Sequence, residues 1–460
     1  MFRISDAILP ETSKYWLKRA RVPSRLLCVP ADQSNRDADG SVLVDILVKD
    51  GRIAAVTTPG NPSFEEASFD LHGRIVLPTL IDAHVHLDKG QVIPRVNPDG
   101  TLDGGRLQTG NDRQHWSEED IRRRFTFGLR CAYVHGVGAI RTHIDSYDPV
   151  LERSWNLFQS QKQDWAGKIE LQAVSLVPIQ MYLTDYSKRL ADITAQFGGI
   201  LGAATNDIDH TIPKTAEETD RGLDVLFTLA AERGLDVDMH VDQIGDLTAF
   251  SLPRIAKAVM RNGFKGRVTC DHCVNLALQP DDVIRETIQL CKDAGIAITT
   301  MPTPMIYLQD RAAGRTPRWR GVTLVHELTA AGIQVAIGGD NCRDAWFPYG
   351  DHDILDTFQQ GVRIFHLDDN LNDALAMVGP IPASIMGLKG VGSISIGAPA
   401  NLILFQARTL NEFICRPHAG RTVLNHGKRV TEQLPDYSEL DANVPAVAAT
   451  EPTPSAAAGM

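Results

Sequence analysis

The chain has 460 residues, 43% hydrophobic and 22% charged, an ordinary globular composition that excludes a fibrous or wholly disordered protein. Its 57 acidic residues outnumber 46 basic ones, giving a net charge of −11 with no Lys/Arg-rich run, which argues against nucleic acid as a partner. No apolar stretch approaches the roughly eighteen residues needed to span a bilayer, and the opening MFRISDAILPETSKYW lacks the apolar core of a secretory signal, so no membrane partner and a cytoplasmic location are expected.

In chain order, residues 1–75 hold short runs (RLLCVP, SVLVDILVKDGRIAAVT) broken by polar, Gly-containing turns, the style of a small β-domain. From about 76 to 340 one unit repeats, a short β-branched run, a polar loop and an amphipathic helix, within a barrel domain expected to span 76–385. Strands are predicted at 75–87, 137–145, 169–177, 200–204, 235–242, 267–272, 296–302 and 333–340. Helices are predicted after Ser117 and Thr215, each of which is followed three residues later by an acid, as in a capping box. Eight strands alternating with helices imply an α/β fold, a parallel (β/α)₈ TIM-like barrel. Residues 386–435 return to short strands (VGSISIGAPANLILFQ, RTVLNHGKRV) and are expected to complete one β-sandwich with the N-terminal piece. Residues 436–460, rich in Ala and Pro, read as a disordered tail. Seven scattered cysteines suggest reduced thiols, and the CxxC of Cys270 and Cys273 has no second pair to make a zinc ribbon.

In such a barrel the chemistry sits at the C-terminal strand ends. Those ends carry His84 and His86, one residue apart and so on the same side of a strand, then His143 and Asp145, His240, His272 and Asp340. Three imidazoles and a carboxylate suit one divalent metal, Zn²⁺ or Fe²⁺, with an open position for water. Such an ion lowers the pKa of its water towards neutrality, an adjacent aspartate can take the proton, and a nearby histidine can polarise a substrate. The implied chemistry is hydrolysis of a small molecule.

The HxH on the first strand, followed by His240, His272 and Asp340 on the fifth, sixth and eighth, resembles the amidohydrolase superfamily. Within it the chain is most similar to the cytosine deaminases through HVHLD (84–88), GTLDGG (100–105), RTHID (141–145) and GGDNCRDAWFPYG (338–350). The resemblance implies His84, His86, His240 and Asp340 as metal ligands, with His272 and Asp340 catalytic. Trp346 matches a pocket aromatic, and His143 and Asp145 support the site from behind. The fourth strand, GGILGAATND, lacks the lysine of two-metal relatives, which implies a single metal.

The substrate-reading positions depart from that family. A glutamate that shuttles a proton in cytosine deaminases is Gln243 here, within HVDQ. A second aspartate is Asn341, and the third-strand glutamine falls near Pro178, with Gln180 as a substitute. Lys89, in HVHLDK, is similar to the branch containing N-isopropylammelide isopropylaminohydrolase; it either meets a ring carbonyl or carboxylate or pairs with Asp88. Gln243, Lys89, Asn341 and Trp346 are therefore the expected substrate contacts. The expected reaction is hydrolysis of a non-peptide C–N bond in a nitrogen-containing ring, of deaminase or aminohydrolase type. The alternatives are a cyclic-amide hydrolase, a cytosine deaminase in the strict sense, or a non-catalytic binding homologue. The sequence leaves a homo-oligomer open.

Overall fold

The computed structural model describes residues 4, 9–29, 36–60, 66–205, 215–245, 247, 250–416 and 420–443. Four strands open the chain: β1 (Lys14–Pro23), β2 (Ser41–Lys49), β3 (Arg52–Thr57) and β4 (Ser68–Asp70), in the sheet order β3-β2-β1-β4. A second sheet takes β5 (Val76–Pro78) from just beyond this region. It pairs antiparallel with β14 (Leu402–Leu404), which continues to β15 (Thr422–Asn425) and β16 (Lys428–Arg429). Leu17, Ile46 and Val48 of the first sheet and Val76, Leu402 and Leu424 of the second belong to one buried apolar cluster. The two flanks of the sequence therefore close over a shared core.

Between them run eight parallel strands: β6 (Leu80–Val85), β7 (Val137–Asp145), β8 (Glu170–Leu176), β9 (Leu201–Ala204), β10 (Val237–Val241), β11 (Val268–His272), β12 (Ile296–Thr300) and β13 (Val335–Ile337). They form a three-stranded sheet, β6-β7-β8, and a five-stranded sheet, β13-β12-β11-β10-β9. Single bridges join the sheet edges: Val174 to Ile200 and Pro178 to Ala204 at one seam, Val85 to Asp340 at the other. At the second seam the Asp340 N–H donates to the His84 carbonyl at 2.7 Å. β6, β7, β10 and β11 are buried along their whole length, which is why they read as near-continuous apolar runs rather than alternating ones.

Helices separate the strands: α1 (Leu102–Asp112), α2 (Glu118–His135), α3 (Leu151–Asp164), α4 (Tyr186–Gln196), α5 (Ala216–Arg233), α6 (Leu252–Arg261), α7 (Asp281–Ala294) and α8 (Pro302–Leu308). The predicted caps are present. The Ser117 hydroxyl accepts from the Asp120 N–H, and Thr215 and Glu218 form a reciprocal capping box that closes two otherwise orphaned donors.

Two expectations need correction. The apolar run 75–87 is two strands: at Thr79 the backbone changes partner, its N–H donating to Asn401 while that of Leu80 donates to Gly136, so β5 belongs with the flanks and β6 with the parallel strands. The expected tail begins with structure, because Tyr437–Asn443 forms a 3₁₀ helix whose Leu440 packs on Phe127 and Cys131 and whose Glu439 pairs with Arg130. The rest of that tail, 444–460, lies outside the described residues. All seven cysteines are unpaired thiols, with Cys270 and Cys273 buried. Among the described residues no helix is long and apolar enough to cross a membrane.

Candidate active site

The ends of β6, β7, β10, β11 and β13 bring five imidazoles and two carboxylates into one buried group. His84 on β6 and His86, just past its end, stand side by side with ring centres 5.2 Å apart. His86 Nε2 lies 3.2 Å from Asp340 Oδ1, and His84 Nε2 lies 3.5 Å from the same oxygen. His240 Nε2 faces His86 Nε2 at 3.2 Å. The His272 ring centre is 5.2 Å from that of His240 and 5.4 Å from that of His84. His143 packs against His84 at 4.0 Å between ring centres.

Local backbone geometry aims these groups. On β11, Thr269 and Asp271 share one face, from which Asp271 reaches His84; a regular strand would turn His272 away. His272 instead adopts φ 68, and Asp340 adopts φ 64, left-handed conformations that are costly for non-glycine residues and common where function fixes a side chain. Asp242, in HVDQ, has φ 52 and turns its carboxylate back to accept from the N–H groups of Ser251 and Leu252 at the start of α6. Gln243 is left on the cavity wall.

The buried group is short of positive charge. Burial disfavours the His84 imidazolium, but Asp271 and Asp340 outweigh it and lift that ring to about 10. Burial and then Lys89 push His86 down to about 3, burial pushes His272 down to about 4, and burial followed by His84 holds His240 well below its ordinary value. Burial opposes the Asp340 carboxylate, yet the imidazoles of His84 and His86 hold it well below the usual range. The neutral rings of His86 and His240 and the ionised Asp340 are donors for a cation, which would take the place of the proton that Asp271 and Asp340 hold on His84. Consistent with that, His84 Nε2 and both Asp340 oxygens are buried without a hydrogen-bond partner. The residues fit a divalent metal. His84, His86 and Asp340 form one compact group able to hold an ion, and His84, His143, His240 and Asp271 form another.

Sequence reasoning missed Asp271. Its Oδ2 accepts from His84 Nδ1 at 2.8 Å, which fixes the tautomer and leaves Nε2 free to bind an ion. The signal was its position two residues beyond Thr269 on an inward strand face; the adjacent His272 drew attention instead.

A cavity of about 430 Å³ opens over this group, lined by His86, His240, His272 and Asp340 and by Lys89, Gln243, Asn341 and Trp346. Lys89 does not take Asp88 as its hydrogen-bond partner; its ammonium donates to Asp145 at 3.0 Å and lies 4.8 Å from the Trp346 ring centre. Asp145 is itself on the cavity wall, also accepting from Arg113 and Tyr147. Asn341 donates to Asp344 at 2.6 Å, and Asp344 also accepts from the Trp346 N–H, so one carboxylate holds both. Gln180 is buried with Oε1 unpartnered, but Pro178 and Met181, not Gln180, reach the cavity.

A family model described as the amidohydrolase family matches residues 134–430. The chain belongs to that family. It is 42% identical to the pterin deaminase of Rhizobium rhizogenes over 94% of this chain and 97% of the relative. It is 26% identical to the N-isopropylammelide isopropyl amidohydrolase of Pseudomonas sp., over 74% of this chain and 81% of the relative. A crystal structure of the 5-methylcytosine deaminase from Klebsiella pneumoniae with 5-fluorocytosine aligns with a TM-score of 0.78 at 27% identity, covering 91% of this chain and 97% of that one.

Proposed function

We propose that the protein is a mononuclear, divalent-metal-dependent deaminase that replaces the exocyclic amine of a pterin-like ring by a carbonyl, consuming water and releasing ammonia. The observation that carries this reading is the set of partnerless donor atoms on His84 and Asp340, with His86 and His240 beside them, at the floor of a ring-sized cavity. The likeness to a pterin deaminase over nearly the whole chain supports the ring. The seam bridges support a closed (β/α)₈ barrel, and the shared flank cluster supports a β-sandwich whose N-terminal part extends to Pro78.

His84, His86, His240 and Asp340 would hold the ion, Zn²⁺ or Fe²⁺. When bound, the ion supplies a water acidified towards neutral pH. Asp340 stands where it can accept a proton from the attacking water, and His272, neutral and on the cavity wall, polarises the ring or meets the departing amine. Trp346 offers a face for the ring, backed by the Lys89 ammonium. The Gln243 amide hydrogen-bonds the ring edge without moving a proton, since an amide has no proton equilibrium near neutrality. His143 and Asp271 pack behind His84 and orient it.

The deciding experiment screens metal-loaded protein against pterins, pyrimidines, triazines and cyclic amides while measuring ammonia and amine. Ammonia released from pterins at kcat/KM of about 10⁴ M⁻¹s⁻¹ or more is expected. Preference for cytosine overturns the ring assignment, ring opening without ammonia makes the protein a cyclic-amide hydrolase, and binding without turnover makes it a non-catalytic homologue.

A further inference from the structure

We infer that Asp344 is a positioning residue for specificity: it draws the Asn341 amide nitrogen away from the substrate, so that Asn341 Oδ1 accepts from an N–H on the ring edge. This rests on the ring-deaminase reading and narrows the substrate class to rings that carry a lactam N–H. Asp344 is wholly buried, and two of the residues it holds, Asn341 and Trp346, line the cavity. Its two oxygens have separate partners. Oδ1 accepts from the backbone N–H groups of Trp346 and Phe347 at 2.9 and 3.0 Å, and Oδ2 accepts from Asn341 Nδ2 at 2.6 Å. An ionised carboxylate can only accept, so the end of the Asn341 amide that meets it is the NH₂ group. The carbonyl oxygen is the end left for the cavity.

Burial raises the Asp344 carboxyl to about 7, against the N–H groups of Phe347, Asn341 and Trp346 and the charge of Lys89, so the carboxylate form prevails above neutral pH. The polarity of Asn341 matters because of where it stands. It follows Asp340 in the chain, and both line the cavity, so its oxygen lies on the wall that also carries the proposed proton acceptor. The Trp346 N–H and the Asn341 amide hang on the same carboxylate, which fixes the platform for the ring face relative to the acceptor for the ring edge. A ring nitrogen with a lone pair at that edge would set acceptor against acceptor and leave Oδ1 unpaired in the complex. An N–H there completes the bond.

The test uses three ring pairs, pterin, pyrimidine and triazine, each as the amino-oxo compound, whose ring nitrogen carries a hydrogen, and as the amino-methoxy compound, whose ring nitrogen has a lone pair. Binding to the metal-loaded protein is measured by calorimetry and turnover by ammonia release, at about pH 8.5, where a carboxyl raised to about 7 is ionised. The wild type is expected to favour the N–H member of its preferred ring by about tenfold or more. In Asp344→Asn the new amide keeps its oxygen on the two backbone N–H groups and turns its nitrogen to Asn341, which answers with Oδ1 and presents NH₂ to the cavity. The ratio should therefore shift by about tenfold or more towards the methoxy ring. Adding Asn341→Asp to that variant returns an acceptor to the cavity and should restore the N–H preference. An unchanged ratio in an Asp344→Asn variant that melts as a folded protein is what a merely structural role predicts, and it overturns the inference. Equal binding of the two members by the wild type, or a shifted ratio that persists in the double variant, also overturns it. An N–H preference on a pyrimidine or triazine ring would instead overturn the pterin reading and leave the polarity of Asn341 intact, whereas failure of every ring to bind overturns both.

Discussion

Asp271 has no exposed surface, yet it decides what His84 can do. By accepting the Nδ1 proton at 2.8 Å it makes Nε2 a lone-pair donor, and its negative charge raises the basicity of that nitrogen. Asp271→Asn keeps the shape and removes the charge. It is expected to weaken metal affinity by about 10- to 100-fold, measured by competition with a chromophoric chelator; unchanged affinity would show that Asp271 only fills space. His272 should behave in the opposite sense. It stands on the cavity wall without a bond to either carboxylate, so His272→Ala is expected to keep its metal and lose about 10²- to 10⁴-fold in kcat. Metal loss in that variant would move His272 among the ligands.

At the level of elements, the site depends on how closely α1 lies against the loop after β13. A Cβ at Gly105 would stand 2.3 Å from Trp346 Cδ1, so only glycine lets the helix rest on that ring, where Trp346 Nε1 donates to the Leu102 carbonyl at 3.1 Å. Gly105→Ala is therefore expected to cost about 1–3 kcal/mol of stability and to raise KM as α1, which lines the cavity through Leu102, is displaced, while metal content is unchanged. Wild-type KM in that variant would mean that the helix does not shape the cavity. The GTLDGG stretch was legible as a shared phrase, but the reason for its second glycine was not, because Trp346 is brought to it only by the fold. The eight parallel strands were legible because both of their faces are buried and capped helices separate them. The split at Thr79 was not, since an apolar run that leaves one sheet and enters another keeps the same composition. Lys89 shows a similar limit: its neighbour in sequence, Asp88, was a plausible partner, and the chosen one, Asp145, comes from the adjacent strand.

At the scale of the molecule, the four proposed ligands span a seam. His84 and His86 belong to the end of the three-stranded sheet's β6, His240 lies on β10 of the five-stranded sheet, and Asp340 follows β13 at its edge. Direct pairing between β6 and the β13 edge consists of the Val85–Asp340 bridge and the Asp340 N–H bond to His84, far less than the ladders within either sheet. An ion held by His84, His86, His240 and Asp340 would tie the two sheets together and relieve the crowding of buried, partnerless donors on both sides. Because the unfolded chain offers these four side chains no common site, binding adds to folding stability by mass action, about 4 kcal/mol when free metal is a thousandfold above Kd. Stripping the metal with a chelator should therefore abolish turnover and lower the melting temperature by several degrees, and both should return together on adding back about one equivalent per chain. A melt insensitive to the chelator, or a stoichiometry of zero or two, would show that these four residues do not form one metal site across the seam.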